Sequence, residues 1–157
     1  MAKGPFMEYL RQRVAQTAAN SFTEIEIATP TSKTENMAML IHSIELYPSS
    51  YTDPAPADSD WVALTVANKH HTGNLQISDP ECLAQFKALM TLGAVTNLIE
   101  YAGSQETKFE PPLLYPKAHL YLSIKSEGFA AALIGMFRIG YTLEKVSRED
   151  FISALVE

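Results

Sequence analysis

Along most of the chain apolar and polar residues alternate with a period of two, the spacing of strands with one buried face. In 22–28, Thr23, Ile25 and Ile27 fall on one side and Glu24 and Glu26 on the other. The longest such segment, 37–47, sets Ala38, Leu40, His42, Ile44 and Leu46 against Ser43, Glu45 and Tyr47, and the even set is expected to face a core. Segment 61–68 alternates Val62, Leu64 and Val66 with Ala63, Thr65 and Ala67, and 118–125 alternates Leu120, Leu122 and Ile124 with His119, Tyr121, Ser123 and Lys125. In 129–146, Phe137, Ile139, Tyr141 and Leu143 oppose Arg138 and Thr142, which predicts a long strand. Short strands at 75–77 and 94–101 bring the expected number to about seven.

Three segments depart from this period. Phe6, Leu10, Val14 and Ala18 recur every four residues and predict an amphipathic helix over 6–18. In 79–92, Ser78 and Asp79 offer N-caps, Pro80 fits a first turn, Glu81 completes the capping-box spacing, and Leu83, Phe86, Leu89 and Met90 form a stripe. Ser147, with Asp150 three residues on, predicts a short last helix carrying Phe151, Ile152 and Leu155. Two long loops separate the strands: 48–60, with three prolines and three aspartates, and 102–117, where Pro111, Pro112 and Pro116 favour an extended path.

Strands and helices do not alternate as a parallel α/β fold requires. The expected fold is mainly β: an antiparallel, jelly-roll-like β-sandwich with an N-terminal helix, one inserted helix and a short C-terminal helix. Residues 1–20 form an amphipathic helical arm in this reading, and 21–157 one sandwich domain.

The 157 residues are enough to bury a core without staples, and the single cysteine, Cys82, excludes a disulfide within the chain and a cysteine-based zinc site. No apolar run suits a signal peptide or a bilayer span, so a soluble protein inside a cell is expected. The net charge of −6 is unevenly spread. Residues 1–20 hold Lys3, Arg11 and Arg13 against Glu8, whereas 21–60 hold only Lys33 against seven carboxylates. An acidic body of this kind lacks the dense basic footprint of a nucleic-acid reader.

Motifs of catalysis are sparse: no phosphate loop, nucleophile elbow or dinucleotide fingerprint occurs in the sequence. His70 and His71 are adjacent and, on a strand, would point to opposite faces, while His42 falls on the expected core side and His119 opposite it. No metal site, cofactor or catalytic residue is therefore assigned. Cys82, in the first turn of the expected helix, has no partner base. Glu24 and Glu26 share a strand face and could divide acid and base roles, but a solvated face explains them as well, and Asp58 and Asp60 likewise. The subunit-interface candidates are Phe6, Leu10 and Val14 on the arm, with Tyr51, Trp61 and Tyr115 in or beside the long loops. Lys3, Arg11 and Arg13 are the candidates for an anionic partner.

The helical, slightly basic N-terminal segment, the strand series from Phe22 to Leu143, the helix inserted at 79–92 and the proline-bracketed loop before 118–125 together resemble the single jelly-roll coat proteins of small viruses. The resemblance implies a self-assembling capsid subunit: not an enzyme, partnered by copies of itself, located in a virion assembled in the host cytoplasm, and touching nucleic acid or another virion component weakly through the arm. Coat-protein arms often carry many more basic residues than the three here. Two other readings stand beside it: a non-viral, cytoplasmic β-sandwich module gripping a ligand or protein with its long loops, and a small acid/base enzyme using Glu24 and Glu26.

Overall fold

The computed structural model describes residues 7–48, 51–53, 60–73, 75–76, 78–89, 99–101 and 105–156, with 51–53, 89 and 99–101 described by backbone alone. Among these residues ten strands and one helix follow in order: β1 (Glu8–Ala15), β2 (Thr23–Ala28), β3 (Met37–Pro48), β4 (Tyr51–Asp53), β5 (Trp61–Ala67), β6 (Cys82–Leu89), β7 (Ile99–Tyr101), β8 (Gln105–Tyr115), β9 (His119–Glu127), β10 (Ile134–Lys145) and α1 (Arg148–Val156). Two antiparallel four-stranded sheets, β1-β10-β3-β8 and β2-β9-β5-β6, face each other, and β4 and β7 pair as a small separate ribbon.

The pairing is nested. β1 pairs β10, β2 pairs β9, β3 pairs β8 and β5 pairs β6, so the chain resembles one long hairpin folded over on itself. The inner faces of the two sheets meet in a core of Ile44, Leu46, Leu64, Val66, Leu120, Leu122, Ile124, Phe137 and Ile139, all nearly or wholly buried. Ile25, Ile27 and Leu143, also expected in the core, pack against it half-buried. Gly135 lies so close to this layer that a β-carbon there would stand 2.6 Å from the Leu64 Cδ2.

The expected N-terminal helix is a strand. Positions 6, 10, 14 and 18 are four apart, a spacing that satisfies a period of two as well as one of 3.6, and hydrogen bonding to β10 selects the strand. Leu10 and Val14 then face the core, while Tyr9, Arg11 and Arg13 face outward. Phe6 lies outside the described residues. The helix expected at 79–92 is also a strand over its described part, β6, with Ala84, Phe86 and Ala88 against the core. The capping residues before it close a turn instead: Asp79 Oδ2 accepts the Gln76 amide at 2.7 Å, and the Cys82 amide bonds the Asp79 carbonyl at 3.0 Å. Leu75 and Gln76 are not in a strand, and of 94–101 only 99–101 is described, as β7.

The segment expected to be irregular at 102–117 holds β8, whose prolines are tolerated because it is a sheet edge. A cis Glu110-Pro111 bond lies within it. The face of β3 changes midway. Met39 and Ile41 are buried in its first half, Ile44 and Leu46 in its second, and the register against both neighbours shifts around His42. This bulge turns Leu40 and His42 off the core face on which alternation had put them. The last helix forms as expected, the Ser147 Oγ accepting the Asp150 amide at 3.1 Å. Among the described residues no helix is long and apolar enough to cross a membrane.

Candidate functional site

Polar chemistry gathers on the outer face of the β2-β9-β5-β6 sheet. Register aligns Glu24 of β2, Ser123 of β9, Thr65 of β5 and Gln85 of β6 in one row across all four strands. The segment after β5 folds back over this row. Glu24 receives the His70 ring Nδ1 and, at 3.2 Å, the His71 amide, while its other interactions include the His71 Nδ1 at 2.9 Å. The His71 Nε2 stands 3.3 Å from the Ser123 Oγ, and the Gln85 amide donates to the Leu75 carbonyl at 2.5 Å and the Thr65 hydroxyl at 3.2 Å. Phe22 meets the His71 ring edge-on at 5.3 Å. Thr65 and Ser123 are consequently buried although they point away from the core.

Glu24, His71 and Ser123 follow the order of a nucleophile relay, carboxylate to imidazole to hydroxyl. Their setting is that of a clamp. Ser123 is 2% exposed and lies mid-strand, paired on both sides by β2 and β5, so the ladder already takes the backbone amides that would have to stabilise an oxyanion. The row satisfies buried hydroxyls and ties the 68–81 segment to the sheet. Glu24 and Glu26, read from the sequence as a pair, have separate partners. Glu26 lies 3.1 Å from the His119 Nε2 at an exposed position. His70 and His71, expected on opposite faces of a strand, lie in a loop that directs both rings to one carboxylate. Among the described residues no group of three or more His, Cys, Asp and Glu side chains could hold a metal ion. Burial and the nearby Asp79 carboxylate push the Cys82 thiol up, away from a reactive thiolate.

Among the described residues, the outer face of the β1-β10-β3-β8 sheet carries exposed side chains. Tyr9 is 45% exposed and lies over Gly140, where a β-carbon would approach the ring to 3.1 Å. The guanidinium carbons of Arg11 and Arg138 sit 5.9 and 5.1 Å from the Tyr9 ring centre. Arg138 also pairs with Glu45. Next to Tyr9, the β3 bulge and residues 109–112 frame a shallow cavity of about 500 Å³, lined by His42, Lys108, Phe109 and Pro112 among others. The His42 Nε2 is 2.9 Å from the Thr142 Oγ1.

The other residues singled out in the sequence are scattered. Val14 and Tyr115 are 1% and 3% exposed within the chain's own core, where the Tyr115 hydroxyl donates to the His119 carbonyl at 2.7 Å. Leu10 packs half-buried on that core. Trp61 donates its indole N–H to Glu127 at 2.8 Å under the Lys87 ammonium, 4.5 Å from its ring centre. Tyr51 is placed by its backbone in β4, opposite Tyr101. Arg11 and Arg13 ride on a strand of the sheet, and Lys3 lies outside the described residues. Spacing alone gives Arg138, Glu45 and Tyr9 no joint role, because only the register of β1, β10 and β3 brings them together.

No family model and no curated protein matches this sequence. Among solved structures the chain is similar to one described as the acidic stable capsid structure of Helicobacter pylori bacteriophage KHP30, over 88% of this chain and 99% of that one, at 8% identity and a TM-score of 0.33. A likeness that loose carries no argument about function.

Proposed function

We propose that this chain is a self-assembling structural subunit of jelly-roll type, a capsid-like protein that forms a shell from copies of itself. The nested pairing carries the reading: eight long strands joined first to last, second to next-to-last and inward make two four-stranded sheets, the double-sheet arrangement used by viral coat proteins and also by lectins and cupins. Between these uses the interior helps to choose. Leu64, Leu122, Ile124 and Ile139 fill the space between the sheets, where a barrel-type binder would keep a cavity, so function falls to the outer faces, edges and loops. On this reading the subunit works in a virion and has no catalytic role. Sedimentation velocity and negative-stain microscopy of the purified protein test it. Closed particles or large homo-oligomers are the expected outcome, and a monomer at every accessible concentration would instead favour a binding module using the cavity beside His42.

A further inference from the structure

One row of charges crosses the outer face of the β1-β10-β3-β8 sheet. Arg11 of β1 stands opposite Arg138 of β10, Arg138 opposite Glu45 of β3, and Glu45 opposite Glu106 of β8, so the four strands read plus, plus, minus, minus from edge to edge. All four side chains are on the outward face, since the residues between them, Leu10, Phe137, Ile139, Ile44 and Leu46, belong to or pack on the core. Arg138 and Glu45 satisfy each other, but Arg11 and Glu106 are exposed at the two edges and have no ion-pair partner among the described residues. Two residues along each strand, on the same face, a second row runs Tyr9, Gly140, Ser43, Lys108.

We propose that this face docks against the same face of a second copy, about a two-fold axis parallel to the strands. The proposal rests on the self-assembly reading above and names its surface. Two sheets packed face to face keep their strands roughly aligned, and a two-fold axis in the interface plane can then run along the strands or across them. An axis across the strands sets Arg11 over the partner's Arg11, with like charges opposed along the whole row. An axis along the strands exchanges the edges while keeping each row in place. Arg11 then lies over the partner's Glu106 and Arg138 over the partner's Glu45. Opposite charges meet at every position of the row, and the only orientation that does this also relieves the two unpaired ends.

Charge reversal tests the pairing, with sedimentation or light scattering as the readout and thermal unfolding as the check on folding. Arg11→Glu alone, or Glu106→Arg alone, should weaken self-association at least tenfold, because each places like charges together twice across the axis. The double variant, and an equimolar mixture of the two single variants, should both recover association. The unaltered protein should also associate less as sodium chloride rises from 0.05 to 0.5 M, a measurement that needs no variant to fold. If the unaltered protein is monomeric, the self-assembly reading fails and this one with it. If it assembles but both single variants assemble equally well, or the mixture fails to recover, or salt has no effect, this face is not the interface and the self-assembly reading stands alone.

Discussion

Asp60 lies directly beneath Gly128: a β-carbon at position 128 would stand 1.9 Å from the Asp60 Oδ1. Gly128 also has a φ of 89°, in the region that residues with a β-carbon resist. It ends β9, so the turn and the start of β5 are locked by one small residue. Gly128→Ala should cost at least about 2 kcal/mol, combining a backbone penalty of ~1–2 kcal/mol with displacement of a buried carboxylate. Urea unfolding gives the number, and an unchanged midpoint would mean that the turn rearranges freely.

Gln16 ties the β1–β2 connection to the β9–β10 connection at one end of the sandwich through one side chain. Its Oε1 accepts the Leu133 amide at 2.8 Å, and its Nε2 donates to the Ser21 carbonyl at 2.8 Å and the Ser126 hydroxyl at 3.0 Å. Gln16→Ala strands these groups where water does not replace the side chain, at about 1–3 kcal/mol for each one left without a partner. Gln12→Ala, at an exposed position on β1, should change stability by less than ~0.5 kcal/mol. Equal effects in the two variants would count against the network.

The clamp on Glu24 predicts a local effect. His71→Ala removes contacts to Glu24 and Ser123 from the segment that crosses the sheet. Hydrogen exchange should quicken at the described amides of 68–81 while the core strands β5 and β9 stay protected. Uniform loss of protection would instead make His71 part of the global core.

Alkaline pH should destabilise the fold through Tyr141. Burial first, then the hydrogen bond its hydroxyl gives to Glu8 at 2.8 Å and that carboxylate's charge, push its pKa up to about 12 from 10.0. Raised in the folded state, this group contributes stability that is complete below pH 10 and declines as pH rises from there through 12. Tyr141→Phe should flatten the decline in melting temperature over that window. A variant with the same alkaline slope would assign the loss to other groups, Tyr115 first, whose hydroxyl burial also raises its pKa.

The strands with strict alternation were legible because burial has the same period as the backbone: β2, β5, β9 and β10 follow from their own residues. What the sequence hid came from long-range pairing. Leu10 and Val14 are spaced for either a helix or a strand, and only β10, more than a hundred residues away, decides between them. Local signals misled at 78–81, where Ser78, Asp79, Pro80 and Glu81 spell a helix start but close a turn. The bulge at His42 shifted the core face of β3 because an inserted residue leaves no mark in composition. Spacing pairs Glu24 with Glu26, whereas in the structure its partners are His70 and His71, 46 and 47 positions on.

Nested pairing also sets a timetable for synthesis. β5 and β6 lie close in sequence and can meet soon after both leave the ribosome, whereas Glu8 and Tyr141, which bond across the β1·β10 pair, are separated by 133 positions. β1 therefore has no partner strand for its apolar side chains Leu10 and Val14 until β10 has been made. In this topology β1 can be sealed only once β10 is in place.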